Sequence, residues 1–110
     1  MFNNPAISIS TLEGHFFFNA EDIVRLEASS NYTNIYFANK KKIISAKVLK
    51  EYAAVLEPMG FIRTHRTHLV NKQYISVVTR RGTIIMKDAS VAEVSRRMKR
   101  GVMQALINAA

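Results

Sequence analysis

Two histidines three residues apart, His65 and His68, are the first side chains whose type and spacing suggest chemistry. Such a pair could hold a metal ion or exchange protons, but residues three apart share a face only on a helix. The surrounding stretch FIRTHRTHLVN is typical of strands, on which residues i and i+3 point to opposite faces. Cysteine is absent, and no carboxylate lies between Glu57 and Asp88. We therefore predict neither a metal site nor a bound cofactor.

Catalysis by other groups has no better support. No serine lies in a nucleophile elbow, and the carboxylates are scattered, so no acid–base pair stands out. With four glycines, neither a P-loop nor a G-x-G-x-x-G motif can be built at the required spacing. We predict that the chain is not an enzyme.

Nucleic-acid binding explains three polar segments better, since each lies at a predicted turn or strand end. The segments are 29–33 (SSNYT), 65–67 (HRT) and 95–97 (SRR). Asparagine can pair with adenine and arginine with guanine, while hydroxyls and backbone N–H groups hold phosphates. The sequence therefore predicts that these segments contact nucleic acid.

The third segment carries the strongest physical argument. Ser95 is a good N-cap, which would place Arg96 and Arg97 in the first turn of a helix. The helix dipole disfavours cations there, and the free N–H groups attract anions. Two arginines at that position favour an anionic partner, with two solvated surface arginines as the alternative.

The charge of the chain is one-sided. Residues 1–57 carry six Lys or Arg and six Asp or Glu, whereas residues 58–110 carry ten against two, which accounts for the whole net charge of +8. A one-sided positive field favours nucleic acid or, less often, an anionic membrane surface. The Lys40–Lys42 turn is expected to be mainly solvated. If it touches backbone phosphates, its substitution by alanine should weaken binding to all sequences alike.

Short strands dominate the predicted secondary structure. Alternation in VRLEA predicts a half-buried strand with Val24, Leu26 and Ala28 on one face. Further strands are predicted at TNIYFA, KKIISAK, YISVVTRR and TIIMKD, and a weaker hairpin at ISIS and HFFFN. The class predicted is mainly β, with one internal and one C-terminal helix.

The two helices are predicted from apolar stripes. The internal one covers about Lys47–Leu56, with Val48, Tyr52 and Val55 or Leu56 on its buried face. The C-terminal one runs from near Ser95 through RRMKRGVMQALIN, and its apolar stripe is Met98, Val102, Ala105 and Leu106.

Length and composition indicate one small domain. No apolar run approaches the roughly 20 residues of a membrane span, and the N-terminus lacks the features of a secretory signal. We therefore predict a cytoplasmic protein with no membrane partner, in keeping with its lack of cysteine.

Over residues 20–106 the sequence resembles the LytTR-type DNA-binding domain of bacterial response regulators. The resemblance rests on EDIVRLEASSNYTNIYF, on GFIRTHRTHLVN followed by KQYI, and on IIMKDASVAEVSRRM, in that order. It implies an elongated domain of small antiparallel sheets, preceded by N-terminal strands at 1–19 and followed by a tail at 107–110.

The resemblance also implies a function. It is sequence-specific binding of double-stranded promoter DNA by loops in the major groove, as the output domain of a two-component transcriptional regulator. Two copies would bind repeated half-sites. The base-reading positions of the family fall at about Thr33, on Arg66 and on Arg96, and Lys47 is a phosphate contact by position. The predicted DNA-binding residues are Asn31, Tyr32, Thr33, Lys47, His65, Arg66, Ser95, Arg96 and Arg97.

Three features depart from the family pattern. His68 replaces an aromatic residue at a position expected to face the core, and Glu93 replaces a frequent proline near Arg96. A receiver domain usually precedes this domain, and we expect it to be absent from this chain because 110 residues leave no room for it.

Two other functions remain open from the residues alone. A basic β module could bind RNA or single strands through stacked aromatics, although Phe16–Phe18 and Phe37 are expected to be buried. A protein-interaction domain with incidental charge is the other alternative. Competition between duplex and single strands, and the salt sensitivity of duplex binding, would separate these functions.

Overall fold

Residues 6–107 of the chain are described by a computed structural model. Single 3-10 turns occur at Ala20–Asp22, Glu57–Met59 and Lys72–Tyr74. The strands and helices are β1 (Ala6–Thr11), β2 (Gly14–Asn19), β3 (Ile23–Ser29), β4 (Tyr32–Phe37), β5 (Lys42–Ser45), α1 (Leu49–Leu56), β6 (Phe61–His65), β7 (His68–Asn71), β8 (Ile75–Val78), β9 (Thr83–Met86), β10 (Val91–Glu93) and α2 (Lys99–Ile107). The mainly β class with one internal and one C-terminal helix is confirmed. The first five residues, and the predicted tail beyond Ile107, lie outside the described residues.

The strands form three antiparallel sheets. The central sheet has the order β5-β4-β3-β7-β6, a second sheet has the order β10-β9-β8, and β1 pairs with β2. The molecule measures 40 × 37 × 24 Å, so it is a flat slab extended in two directions rather than drawn out along one.

The central sheet is covered on both faces. One core joins it to the β1–β2 hairpin and α1, and is built around Ile9, Leu26, Ile35 and Leu56. The other joins it to the second sheet and α2 through a smaller group. The members of that second group are Val24, Val70, Ile84, Met86, Ala92 and Val102. Two cores of modest size therefore hold a three-layered domain together.

Strand β3 lies between the two cores, so the burial of its two faces differs from the prediction. A register shift between Ile23 and Arg25 inserts Val24 as an extra residue, so Ile23 and Leu26 face the first core while Val24 faces the second. The strand is buried on both faces rather than half-buried. Simple alternation fails at Val24 because a bulge adds one residue to one strand only.

Both helices begin later than predicted. Helix α1 starts at Leu49 and buries Leu49, Tyr52, Ala53 and Leu56, whereas Val48 and Val55 are exposed. Tyr52 and Leu56 are therefore buried as predicted, whereas the prediction for Val48 was wrong. Helix α2 starts at Lys99, and the residues expected in its first turn form a separate turn.

The first core can be tested with two isoleucines on neighbouring strands. Ile35 is fully buried and Ile44 is 55% exposed. We expect Ile35→Ala to lower the free energy of unfolding by about 2–5 kcal/mol, because it removes apolar contacts and leaves a cavity. Ile44→Ala, the matched control, should change it by less than about 1 kcal/mol. Denaturant unfolding measures both, and equal losses would contradict this assignment of the core.

Candidate nucleic-acid interface

The predicted contact segments lie at one end of the central sheet. In an antiparallel sheet alternate turns share an end, and here Ser29 pairs with Tyr32 and His65 with His68 across two-residue turns. The Ala28 N–H donates to the Thr67 carbonyl at 2.9 Å, which joins the two turns. We call this edge the turn end, comprising residues 29–33, 47, 65–67 and 95–97.

The first turn exposes two of its three predicted contact residues. Asn31 is exposed, and Tyr32 is 47% exposed, so Tyr32 is not part of the core. Thr33 is fully buried, and its hydroxyl donates to the Lys47 carbonyl at 2.7 Å. Thr33 thus cannot present its side chain to DNA, and its role is to fix the turn beside Lys47.

Lys47 lies on the flank of the turn end. Its N–H donates to the Ser45 hydroxyl at 3.1 Å, and its side chain is half-exposed. It precedes α1 instead of opening it, since the helix begins at Leu49. Its backbone is therefore fixed by two strands while its ammonium group is free to reach a phosphate.

The second turn presents Arg66 on a firmly held backbone. The His65 Nδ1 accepts the Thr67 N–H at 3.1 Å. Arg63 donates from Nε to the His65 carbonyl at 3.2 Å and from Nη2 to the Arg66 carbonyl at 2.6 Å. Arg66 is exposed. His65 therefore positions the turn, and so does Arg63, which the sequence prediction missed.

The two histidines meet, contrary to the prediction from strand geometry. Their ring centroids are 5.6 Å apart because the Arg66–Thr67 turn reverses the chain between them. Within residues 6–107 no group of three or more metal-ligating side chains is assembled. His68 is buried as expected, with no hydrogen-bond partner for Nδ1.

The third segment is attached to the edge strand of the central sheet. The Ser95 N–H donates to the Thr64 carbonyl at 2.8 Å, and the Thr64 hydroxyl donates to the Glu93 carbonyl at 2.8 Å. These bonds place Arg96 beside the Arg66 turn. The third segment is therefore part of the turn end.

Ser95 has a different role from the predicted one. Its hydroxyl accepts the Met98 N–H at 3.2 Å, which caps a turn that contains Arg96 and Arg97 and precedes α2. The two arginines are exposed there but are not in the first turn of the helix, so the argument from the helix dipole does not apply to them.

The cations of the turn end lack acidic partners. In the part of the chain described by the structure, the one ion pair within 4.0 Å joins Arg25 to Glu27 at 2.8 Å. Arg66, Arg96 and Arg97 are exposed and unpaired with carboxylates. A cluster of uncompensated positive charges at one edge attracts a polyanion.

The Lys40–Lys42 turn lies at the opposite end of the sheet. Tyr36 pairs with Lys42 there, whereas Thr33 pairs with Ser45 at the turn end. Lys41 lies 5.3 Å from the centre of the Phe18 ring. The turn therefore lies away from the predicted contact segments, and its three lysines are exposed to solvent as expected. The expectation that Phe16–Phe18 are all buried is wrong, since Phe17 is 69% exposed.

Comparison with known proteins identifies the family and supports the fold. The profile of the LytTR family, described as the LytTr DNA-binding domain, matches residues 13–107. A solved LytTr DNA-binding domain from Bacillus cereus, described as part of a methyl-accepting/DNA response regulator, superposes with a TM-score of 0.74. It is 20% identical, and the alignment covers 96% of this chain and 98% of that one. No curated protein matches significantly.

The match of the family profile to most of the chain settles its class. The chain belongs to the LytTR family of DNA-binding domains. The family is defined by DNA binding, not by catalysis. Among residues 6–107, no helix is long and apolar enough to cross a membrane.

The buried His68 gives the stability of the domain a testable pH dependence. Burial is the largest cause that lowers the pKa of its imidazole below the ordinary 6.5, partly opposed by Glu27. The unfolded chain therefore takes up the proton more readily, and the free energy of unfolding should fall as the pH drops below about 6.5. The slope from one group cannot exceed about 1.4 kcal/mol per pH unit.

Denaturant unfolding at pH 7 and pH 5 measures this effect. We expect His68→Phe to lose less stability than the parent between these two values. Asp88 does not interfere. Burial raises the pKa of its carboxyl, but hydrogen bonds from Ser90 together with the charges of Arg25 and Lys40 lower it below the ordinary 3.8, so its contribution is lost only at lower pH. Identical losses in parent and variant would exclude His68 as the cause.

Proposed function

We propose that the chain binds double-stranded promoter DNA sequence-specifically, through the turn end, as the output domain of a two-component transcriptional regulator. The observation that carries this proposal is the convergence of three distant segments at one edge. Asn31, Arg66 and Arg96 come from different hairpins and turns, yet strand pairing and the Thr64–Ser95 bond bring them together. Their exposed donors suit the edges of bases in a major groove.

The dimensions of the turn end suit a duplex. The two hairpin tips are two strand spacings apart, roughly 10 Å, which is about three base-pair steps. The five strands span about 20 Å, less than the ~34 Å between successive major grooves. A duplex that bends toward the domain would favour contacts in two such grooves, at a cost set by its sequence.

The proposed contacts fall into two groups. Arg66, Arg96 and Asn31 are the base readers. Tyr32, Lys47 and Arg97 are the proposed contacts to phosphates or sugars beside them. Thr33, His65 and Ser95 hold the backbone of the three segments through their hydrogen bonds. Two copies on repeated half-sites would double the contact and lengthen the recognised sequence.

Single-strand or RNA binding is supported less well. Such modules stack bases on several aromatic rings of an open sheet face, and the central sheet here is covered on both faces. Tyr32 is the one aromatic ring among the proposed contact residues. A selected duplex should outcompete single strands of the same sequence by orders of magnitude.

Arginine substitutions test the base-reading assignment. We expect Arg66→Ala and Arg96→Ala each to weaken binding to a duplex selected from a random pool by about 1–3 kcal/mol. Base preference should relax only at the positions that each arginine reads. Fluorescence anisotropy with single-base duplex variants measures both effects.

Lys87→Ala is the control for charge loss. Lys87 is exposed beyond the end of β9, at the side of the molecule opposite the turn end. Its substitution should leave affinity and base preference nearly unchanged, because charges farther than about 8 Å are screened at physiological salt. If both arginine variants bound the selected duplex as tightly as this control, the proposed base readers would be wrong.

A further inference from the structure

A fourth basic turn lies outside the residues discussed so far. Arg80 and Arg81 are exposed in the connection between β8 and β9, preceded by Thr79 and followed by Gly82. The family resemblance gave no role to this turn, and the sequence showed only a short hairpin with glycine. Its position in the fold, however, relates it directly to the turn end.

One hydrogen bond joins this turn to Val94, the residue before the third segment. The Gly82 carbonyl accepts the Val94 N–H at 2.9 Å, and the next residue, Ser95, is bonded to Thr64 of the central sheet. Pairing of Thr83 with Glu93 continues the same ladder. The Arg80–Arg81 turn is therefore the neighbour of Arg96, one strand spacing or about 5 Å further from Arg66.

The turn is rigid as well as exposed. Thr79 makes two backbone hydrogen bonds within the turn. Its N–H donates to the Thr83 carbonyl at 2.8 Å, and its carbonyl accepts the Gly82 N–H at 3.2 Å. The Thr79 hydroxyl accepts the Thr83 N–H at 3.0 Å. Gly82 has a φ of +96°, which favours glycine. The two arginines are thus presented from a fixed backbone, which lowers the entropy cost of binding.

The turn extends the uncompensated positive charge. No carboxylate of residues 6–107 lies within 4.0 Å of either guanidinium group. A Cβ on Gly82 would lie 3.8 Å from the Lys99 side chain, so a further cation packs against the same turn. Adjacent like charges repel each other, and a row of phosphates would relieve that repulsion.

We propose that the Arg80–Arg81 turn is a fourth DNA contact, which binds backbone phosphates on the flank of the site beyond the Arg96 segment. The inference rests on the proposed function, because it extends the same row of contacts along the duplex. Phosphates rather than bases are the expected partners, since the turn lies outside the three converging base-reading segments. It sets the length of the footprint and the salt dependence, not the sequence preference.

The double variant Arg80→Ala/Arg81→Ala tests this contact. Each lost phosphate contact lowers the slope of log affinity against log salt by about 0.9, which corresponds to about fivefold in affinity at 0.15 M salt. We therefore expect a slope reduced by about 1.8 and binding about 30-fold weaker on a selected duplex. Base preference should be unchanged. Anisotropy titrations at several salt concentrations give both quantities.

Two matched variants serve as controls. Lys72→Ala/Lys87→Ala removes the same charge from the opposite side of the molecule and should bind like the parent. Arg80→Lys/Arg81→Lys keeps the point charges and should retain most of the affinity, whereas a base-reading arginine pair would lose it. All variants change exposed residues, and thermal unfolding verifies that each is folded.

Duplex length provides an independent readout. The affinity difference between parent and Arg80→Ala/Arg81→Ala should disappear when the duplex is trimmed on one flank, and persist when it is trimmed on the other. A double variant with the affinity and salt slope of the lysine control would overturn the inference. If Arg66→Ala still weakened binding in that case, the proposed function would stand. If Arg66→Ala also had no effect, both would fall.

Discussion

Strand β3 is the constraint on which the rest of the structure depends. It lies between β4 and β7 in the central sheet, and both of its faces are buried. The bulge at Val24 lets it supply one apolar side chain to the second core while Ile23 and Leu26 supply the first. Because both neighbours of β3 are antiparallel, their turns emerge beside its C-terminal end. The interface follows from this pairing rather than from any single motif.

The proposed recognition of DNA by exposed turns depends on the rigid backbone of the turn end. Loops normally lose conformational freedom on binding, and that loss weakens affinity. Here Thr33, His65 and Ser95 each hold a turn by a side-chain hydrogen bond, and Arg63 holds two carbonyls of the second turn. The turns lose this conformational entropy when the chain folds, so the backbones of Arg66 and Arg96 are already ordered before DNA binds. In the proposed interface the residues that make these hydrogen bonds position the turns rather than contact the DNA.

Much of the fold was predictable from the sequence, and so were the three segments that form the proposed interface. The strands were predicted because alternation and turn residues are local signals, and the family was identified from three short motifs. The roles of Thr33 and His65 were not predictable. A threonine or a histidine in a turn looks the same in sequence whether its side chain contacts a ligand or bonds to its own backbone. Strand β10 and the bulge at Val24 were missed, because three residues carry too little periodicity and a bulge interrupts it.

The sequence also could not show which distant segments lie next to each other in the fold. Lys40 and Arg80 look equally basic in sequence, yet one lies opposite the turn end and the other next to Arg96. Only the strand order distinguishes the two positions.

The most direct test of the proposed interface is the change in backbone amide NMR shifts when a selected duplex is added to the labelled chain. We expect the largest changes at residues 29–32, 47, 66–67, 80–81 and 95–97. Changes concentrated at residues 40–42, 72 and 87 instead would contradict the proposed interface.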